Sequence, residues 1–308
     1  MASFASEVKN ELSRTFYEKK CCGRAELAAL LRLSGRVFAG AAGDFGFKFT
    51  SNNAAVARKT LTLIREENHK IPVKVSMEKS QKLRKRASYN IVISPSKESA
   101  ALLESLNFMG SEGFSIEREN RSLKKACCQR AYLRGAFLAT GSVNKPEAEY
   151  HLELSTVSKT FAKFLLELMK KLDFPAKMTD RKEEYIVYLK SSEAILDFLG
   201  MMQADFAAEQ FEAARNLKEV RSQVNRIVNC ETANLSKTVA ASLRQKSYIE
   251  TLKSNNILSK LKEELQETAK ARLENPEASL SELASILCVS KSALSHRMKK
   301  LKILAEKL

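Results

Sequence analysis

The chain has 308 residues, more than a single hydrophobic core usually serves, so we expect two or three domains. Its hydrophobic content of 44% is that of an ordinary globular protein, whereas 52 Lys and Arg against 36 Asp and Glu give a formal net charge of +16, which favours a polyanionic partner. We expect no membrane span, because no apolar run approaches the ~18 to 20 residues that one requires.

The first residues and the cysteines indicate the compartment. Met1–Lys20 is mixed and charged, without the apolar segment of a signal peptide, so we expect a cytoplasmic protein with reduced thiols. Six cysteines form two adjacent pairs and two single positions: Cys21 with Cys22, Cys127 with Cys128, Cys230 and Cys288. They lack the C-x-x-C spacing of a zinc site, and adjacent residues do not readily present both thiolates to one ion. We therefore predict no metal and no cofactor, with the pairs as buried small side chains. A site shared by one cysteine of each pair stays open.

The first predicted element is a leading helix within Ser3–Lys20. Its apolar residues recur every four positions, at Phe4, Val8, Leu12 and Phe16, which is the spacing of one helical stripe. We expect this stripe to pack on the segment that follows.

That segment occurs twice in the chain. Cys21–Val37 reads CCGRAELAALLRLSGRV, and Cys127–Val143 reads CCQRAYLRGAFLATGSV, with identity at seven of the seventeen positions. A repeated unit of this kind usually needs the other copy to bury its apolar face. Each copy contains an apolar run with small residues, LAALLRLSG at Leu27–Gly35 and LRGAFLATG at Leu133–Gly141. We predict that the two runs are helices that pack against each other.

Both runs resemble the LAGLIDADG motif of homing endonucleases. In that family two such helices cross through a small residue at the third position of the motif, here Ala29 and Gly135. An acid at the eighth position holds the divalent metal that activates water. The matching residues here are Ser34 and Thr140, whose neutral hydroxyls do not replace an anionic ligand of a hard cation. We predict a nuclease scaffold with no catalytic residues, and residual nuclease activity is the less favoured alternative.

The rest of each copy follows the half-domain order of helix, two strands, helix, two strands, helix. The first copy predicts strands and helices in turn: strands Asp44–Thr50, Ile71–Met77 and Ala87–Ile93, helices Ala54–His69 and Lys97–Met109. In the second of these strands, alternation places four side chains inward: Ile71, Val73, Val75 and Met77. The second copy predicts the same kinds of element: a strand around Tyr150–Leu154, helix Val157–Leu172, strands Ala176–Thr179 and Tyr185–Leu189, and helix Glu193–Met202.

The predicted fold class is therefore α+β, a duplicated LAGLIDADG-like αββαββα pseudo-dimer followed by an all-α helix-turn-helix domain. Its parts are the leading helix with the first repeat at 1–110, a charged linker at 111–126, the second repeat at 127–218 and a helical DNA-binding domain at 221–308. Glu212–Arg226 is predicted as a bridge. Separate helices are predicted after it, within Asn225–Gln245, Gln245–Lys253 and Lys260–Leu273.

In the endonucleases the sheet faces turned away from the helices grip duplex DNA. The first copy offers Lys48, Lys74 and Arg86 on that face, with the basic loop Lys79–Arg86 between its last two strands. The second offers two lysines but also two acids that oppose phosphate: Lys177, Lys190, Glu149 and Glu153. Secondary DNA contacts from the loop are one interpretation, and a plain solvated hairpin is the other. The contacts would come from four residues: Lys82, Arg84, Lys85 and Arg86.

The segment 279–304 predicts a helix-turn-helix. Ser279 to Glu282 has the pattern of a capping box, Cys288 stands in the turn where glycine is usual, and Ser290 caps a second helix. The outward side chains at the front of that helix are short or basic and are predicted to read bases: Lys291, Ser292, Ser295, His296 and Lys299. Three further cations are predicted to contact the DNA backbone: Arg297, Lys300 and Lys302.

Taken together, three segments make the chain similar to the bacterial WhiA family: YHLELSTVSK at Tyr150–Lys159, NRIVNCETANLSK at Asn225–Lys237 and KSALSHRMKKL at Lys291–Leu301. This resemblance implies a DNA-binding transcription regulator of sporulation, cell division and chromosome segregation, associated with the nucleoid. It implies double-stranded DNA as the partner, bound chiefly by the helix-turn-helix, beside a non-cutting LAGLIDADG scaffold. We expect a monomer with internal pseudo-twofold symmetry. Another transcription regulator or RNA polymerase stays open as a protein partner, and a scaffold that acts through partner proteins is the alternative function.

Overall fold

The computed structural model describes residues 3–17, 19–40, 45–79, 87–110, 113–114 and 123–308. The chain divides into two compact units, Met1–Lys218 and Glu219–Leu308. The four predicted loop contacts Lys82, Arg84, Lys85 and Arg86 lie outside the described residues, as does most of the predicted linker. Within the described residues, no helix is both long and apolar enough to cross a membrane.

The first unit contains a leading helix and two copies of one supersecondary unit. The leading helix α1 spans Phe4–Leu12. The first copy consists of α2 Lys20–Ser34, β1 Gly35–Ala39, β2 Phe45–Ser51, α3 Ala54–Glu67, β3 Val73–Lys79, β4 Ala87–Ile93 and α4 Lys97–Ser105. A short hairpin follows, β5 Met109–Gly110 and β6 Gly113–Phe114. The second copy consists of α5 Ala126–Thr140, β7 Gly141–Val143, β8 Leu152–Thr156, α6 Lys159–Lys171, β9 Lys177–Arg181, β10 Glu184–Leu189 and α7 Ser192–Met201. The predicted order αββαββα is therefore confirmed in both copies.

Each copy folds its four strands into an antiparallel sheet of the same topology, β1-β2-β4-β3 in the first and β7-β8-β10-β9 in the second. The register sets which side chains share a face, because successive residues of a strand point to opposite faces. In the first sheet the row that contains the buried Phe47 and Ile93 faces the helices. The neighbouring row therefore faces away from them.

The two sheets are held together by the pair of repeated helices α2 and α5, which cross through small residues as predicted. A Cβ atom built on Gly135 would lie 3.0 Å from the Cβ of Ala29 and closer still to the carbonyl oxygen of Glu26. Only glycine therefore lets the backbones approach to this distance. Ala29 is itself fully buried, which confirms that both residues lie at the crossing.

A buried ion pair also joins the two repeats at this crossing. The Glu26 carboxylate of α2 accepts a hydrogen bond of 2.6 Å from Nε of Arg134 in α5, and Nζ of Lys59 lies 4.0 Å away. Arg134 also donates through Nη1 to Oε1 of Gln203, at 2.8 Å. Burial raises the pKa of Glu26, and the charges of Arg134 and Lys59 act in the opposite direction. Removing Arg134 alone would leave the buried Glu26 carboxylate with only Lys59 as an opposite charge, 4.0 Å away.

Two predictions about apolar side chains in this unit were wrong. Phe16 does not pack, because α1 ends at Leu12 and the Phe16 side chain is 92% exposed. Val75 and Met77 share the core-facing rows of Ile91 and Tyr89, yet they are 57% and 52% exposed. β3 is the edge strand of its sheet, so its side chains have a neighbouring strand on one side only.

The helical segments after Asp205 differ from those predicted. Instead of a bridge and separate helices, one helix α8 runs through Asp205–Ser254, and the division between the two units falls within it. This run contains neither glycine nor proline, so no residue in it strongly disfavours helix. A 3-10 turn at Leu258–Lys260 follows, and then come α9 Glu263–Glu274, α10 Leu280–Ile286 and α11 Lys291–Ala305.

The second unit has its own core. Its buried apolar side chains come from the end of α8 and from the three helices that follow: Ile249, Leu252, Leu265, Ala269, Ala271, Leu283, Ala284, Leu294, Met298 and Leu301. This core fixes the inner face of α11, and therefore also the face that α11 presents to solvent.

Candidate nucleic-acid interface

The helix-turn-helix begins with the predicted capping box. Oγ of Ser279 accepts a hydrogen bond of 3.2 Å from the backbone N–H of Glu282, and Oε2 of Glu282 accepts one of 2.6 Å from the backbone N–H of Ser279. These bonds satisfy two amides that a helix start leaves without partners. The hydrogen bond from the Ser279 backbone N–H lowers the pKa of Glu282.

The turn between α10 and α11 depends on one left-handed residue. Cys288 has φ of 51°, a conformation that costs a residue with a Cβ roughly 1 to 2 kcal/mol. The turn lets the N–H of Val289 donate to the carbonyl of Ala284 at 2.9 Å, which closes the end of α10. Oγ of Ser290 then accepts from the N–H of Ala293 at 3.1 Å and starts α11. Cys288 therefore stands at a position where glycine is usual, and the backbone there is left-handed.

A buried arginine anchors the loop that leads into the helix-turn-helix, and this residue was not among those predicted from the sequence. Arg272 of α9 is 2% exposed. Its Nη1 donates to the carbonyl oxygens of Ala278, at 2.6 Å, and of Asn275, at 3.2 Å. The loop that leads into α10 is thereby tied to α9. A signal was present in the sequence, because Arg272 follows Leu265 and Ala269 at the spacing of one helical face.

The inner face of α11 is apolar, and seven of the eight predicted DNA-binding side chains are exposed on its other faces. Leu294, Met298 and Leu301 are all buried. The exposed residues are Lys291, Ser292, Ser295, His296, Lys299, Lys300 and Lys302. The N-terminal end of α11 therefore presents short polar side chains between lysines.

Arg297 is the eighth predicted residue, and the structure places it differently. Its side chain is half-buried, and its Nη2 lies 3.6 Å from Oε2 of Glu264 at the start of α9. Lys302 pairs with the residue that caps the end of its helix, with Nζ 3.4 Å from Oε1 of Glu306. Both cations are thus partly neutralised by a carboxylate, although each pair is exposed enough for water and salt to weaken it.

The outward faces of the two sheets carry different charges. Of the four charged residues predicted on the outward face of the second sheet, Glu153 and Lys177 lie in its strands, whereas Glu149 and Lys190 lie outside them. In the first sheet one outward row runs Arg36, Lys48, Val92 and Lys74. The equivalent row of the second runs Ser142, Glu153, Tyr188 and Lys177. Its acid pairs with a histidine, since Nε2 of His151 lies 2.9 Å from Oε2 of Glu153. The first sheet therefore offers a basic surface, and the second a mixed one.

The ends of the repeated helices carry hydroxyls where the endonuclease motif has acids. Ser34 is the last residue of α2, and Thr140 is the last residue of α5. Both are partly buried. A neutral hydroxyl at each helix foot offers a divalent cation no negative charge.

The other ends of the same two helices bring the paired cysteines together. Cys21 and Cys22 lie in the first turn of α2, and Cys127 and Cys128 lie in the first turn of α5. All four Sγ atoms lie within 4.8 Å of one another, and among the described residues this is the only group of three or more side chains suited to hold one metal ion. Burial raises the pKa of Cys22 to about 11 and that of Cys128 to about 12. The expectation that adjacent cysteines do not turn both thiols to one point was wrong.

These features define the class of protein. Two αββαββα copies that cross through small residues of their first helices form a duplicated LAGLIDADG-like domain, and the motif of α10 and α11 makes the second unit a helix-turn-helix domain. The chain belongs to the WhiA family. The WhiA N-terminal LAGLIDADG-like domain matches residues 20–109, the WhiA LAGLIDADG-like domain matches residues 129–221, and the WhiA C-terminal HTH domain matches residues 224–305.

Relatives of the whole chain agree with this assignment. A protein of Desulforamulus reducens named Probable cell division protein WhiA is 44% identical over 99% of this chain and 96% of its own length. One of Desulfitobacterium hafniense with the same name is 43% identical over the same shares. The crystal structure of full-length DUF199/WhiA from Thermatoga maritima matches with a TM-score of 0.59 at 24% identity, over 100% of this chain and 99% of that one. The last similarity shows the fold.

Proposed function

We propose that this chain is a sequence-specific DNA-binding protein that regulates transcription and takes part in cell division, sporulation and chromosome segregation. The observation that carries the proposal is the exposed face of α11, which is polar and basic while the opposite face is fixed in the core. The net charge of +16 supports a polyanionic partner, and the names of the relatives support a role in cell division. Double-stranded DNA of the nucleoid is the partner that we assign to it.

We assign base contacts and phosphate contacts to the residues of α11 according to their position along the helix. In a recognition helix the N-terminal residues meet base edges in the major groove, and more distant cations meet phosphates. The base-reading residues are then those of the first nine positions that are exposed: Lys291, Ser292, Ser295, His296 and Lys299. The phosphate contacts are Lys300 and Lys302, and Arg297 once it leaves Glu264.

The LAGLIDADG-like unit serves in this proposal as a scaffold that does not cut DNA. Ser34 and Thr140 supply no carboxylate for a metal-activated water, and the acid in the outward row of the second sheet opposes a full DNA saddle. The basic row of the first sheet still supports secondary contact with DNA. Further contacts from the loop stay part of the proposal, through Lys82, Arg84, Lys85 and Arg86. The chain acts as a monomer whose two repeats form the pseudo-dimer.

A second function, as a scaffold for partner proteins, is favoured by an apolar stripe on α8. Val220, Val224, Ile227 and Val228 are each more than half exposed, and their spacing places them on one face of the helix. Another transcription regulator or RNA polymerase is the class of partner that this stripe would serve. If the scaffold function stands alone, the chain binds no DNA in a salt-dependent manner.

Binding titrations on α11 variants test the main function. Target sites are first found by chromatin immunoprecipitation with sequencing, and binding to a target and to random DNA is then followed by fluorescence anisotropy across salt concentrations. Ser295→Ala and His296→Ala should each weaken binding to the target by about 1 to 3 kcal/mol and leave binding to random DNA nearly unchanged. Lys300→Ala should weaken both alike and reduce the salt dependence by about one phosphate contact.

A matched control separates this interface from general charge effects. Lys270→Ala removes the same charge from α9, where the Lys270 side chain is 75% exposed and pairs with Glu274. It should leave affinity and salt dependence close to those of the unaltered protein. Equal effects of Lys270→Ala and Lys300→Ala would mean that α11 is not the DNA-binding element, and full affinity after deletion of Lys291–Leu308 would exclude it outright.

A further inference from the structure

The paired cysteines stand at equivalent places in the two repeats. Cys21 and Cys127 are the second residues of α2 and α5, and Cys22 and Cys128 are the third. Because the two helices pack against each other, their first turns meet, and the Sγ of Cys128 lies 3.7 Å from the carbonyl oxygen of Cys21. Four thiols from two halves of the unit therefore share one location.

The spacing of these thiols approaches that of a mononuclear tetrahedral site. Zinc–sulfur bonds of ~2.3 Å at tetrahedral angles place sulfur atoms about 3.8 Å apart, and here all four Sγ atoms lie within 4.8 Å of one another. Rotation of the side chains about their Cα–Cβ bonds covers a difference of this size. A polynuclear iron–sulfur cluster places iron and sulfide between the thiolates and needs them further apart.

The surroundings suit a negatively charged metal–thiolate centre. Four thiolates around one divalent cation carry a net charge of −2, and both helix N-termini point their positive dipole ends at it. Lysines flank each pair along the chain: Lys19, Lys20, Lys124 and Lys125. Cys21 and Cys127 are partly exposed, so an ion can reach the cluster from solvent. Cys22 and Cys128 are buried, so a bound ion is largely shielded from water.

We propose that Cys21, Cys22, Cys127 and Cys128 form a four-cysteine site for one thiophilic divalent cation, with zinc as the ion, that joins the two repeats. On binding, the four S–H groups release their protons to solvent and four sulfur–metal bonds form, with no change of oxidation state. The ion spans α2 and α5 at the end of the helix pair away from Ser34 and Thr140. It stabilises the folded unit, because the unfolded chain lacks the assembled site.

The experiment uses the full chain, purified with a reductant and stripped of metal by a chelator. Cobalt(II) is titrated without oxygen, followed by zinc competition and measurement of bound zinc by mass spectrometry. We expect one ion per chain, the absorption of tetrahedral cobalt–thiolate coordination, and a melting temperature that rises with zinc. Cys21→Ser and Cys127→Ser change the partly exposed cysteines, so the fold should persist, and each should weaken zinc binding about tenfold or more.

Cys230→Ser is the matched control, because Cys230 is exposed on α8 and belongs to the second unit. It should bind cobalt and zinc like the unaltered protein. The proposal is overturned if the reduced protein takes up no stoichiometric ion, if cobalt shows no thiolate absorption, or if Cys21→Ser binds zinc as well as Cys230→Ser does. Oxidation to a disulfide between the repeats, without metal uptake by the reduced protein, would identify the cluster as a redox pair and would also refute the site.

Discussion

Replacing Gly135 by alanine tests the packing on which the LAGLIDADG-like unit depends. The added Cβ would lie 3.0 Å from both the Cβ of Ala29 and the Cα of Glu26, and closer still to a carbonyl oxygen. Two of these three neighbours are backbone atoms of α2, so no side-chain rotation relieves the overlap, and the helices have to separate. Separation also stretches the buried pair of Glu26 and Arg134, whose hydrogen bond measures 2.6 Å.

We expect Gly135→Ala to lower the free energy of unfolding by about 1 to 3 kcal/mol, the usual cost of overpacking a core. In a unit of this size each kcal/mol lowers the melting temperature by roughly 2 to 4 °C, so the expected decrease is roughly 2 to 12 °C. Calorimetry or circular dichroism on the full chain measures it in the transition of the first unit. A larger residue, as in Gly135→Leu, should cost more.

Gly200→Ala is the matched control. Gly200 lies in α7, and a Cβ built on it meets no atom within 4 Å. Because alanine is the better helix former by up to about 1 kcal/mol, this variant should be as stable as the unaltered protein or slightly more so. If Gly135→Ala has the same melting temperature as Gly200→Ala, the close crossing of α2 and α5 is refuted.

Three further predictions concern the second unit and the helix ends. Arg272→Met should destabilise the second unit by about 1 to 3 kcal/mol in urea denaturation, because the partly buried carbonyl oxygens of Asn275 and Ala278 lose their donor. Lys270→Met on the exposed face should change stability little, and equal effects of the two substitutions would refute the anchoring role. The pKa of Glu282 is lowered below its ordinary value of 4.5 in the folded state. The contribution of its ionised carboxylate to the free energy of unfolding is therefore present above pH 4.5 and is lost as the pH falls through the folded pKa. Glu282→Gln should flatten the decline of stability below about pH 5, and an unaltered decline would contradict this. Finally, the purified protein should not nick supercoiled plasmid with magnesium; nicking that is abolished by substitution of Ser34 or Thr140 would overturn the non-cutting assignment.

Several parts of this structure could be predicted from local sequence patterns alone. Because the segments Cys21–Val37 and Cys127–Val143 align without gaps, each position in one copy has an equivalent in the other. This alignment predicted two equivalent helices and the small residues at which they cross. Strand alternation predicted the sheets, and the capping serines Ser279 and Ser290 predicted where α10 and α11 begin. These signals are local, since they depend on hydrogen bonds and side-chain spacing within a few residues.

Other features depend on neighbours that are distant in sequence. Val75 and Met77 alternate as core residues do, but only the position of β3 at the sheet edge leaves them exposed. Phe16 continues the stripe of α1 in sequence, yet the helix ends before it. The pairing of Arg297 with Glu264 likewise requires α11 and α9 to be packed first.

The cysteine cluster shows the same division most directly. From the sequence, Cys21 and Cys127 are separated by over a hundred residues, and spacing rules written for ligands near each other in the chain do not apply to them. Only the crossing of α2 and α5 brings their first turns together, because close approach at Gly135 sets the distance between the helices. The sequence alone thus determined that the two pairs are equivalent, and the tertiary structure decided that their four sulfur atoms meet.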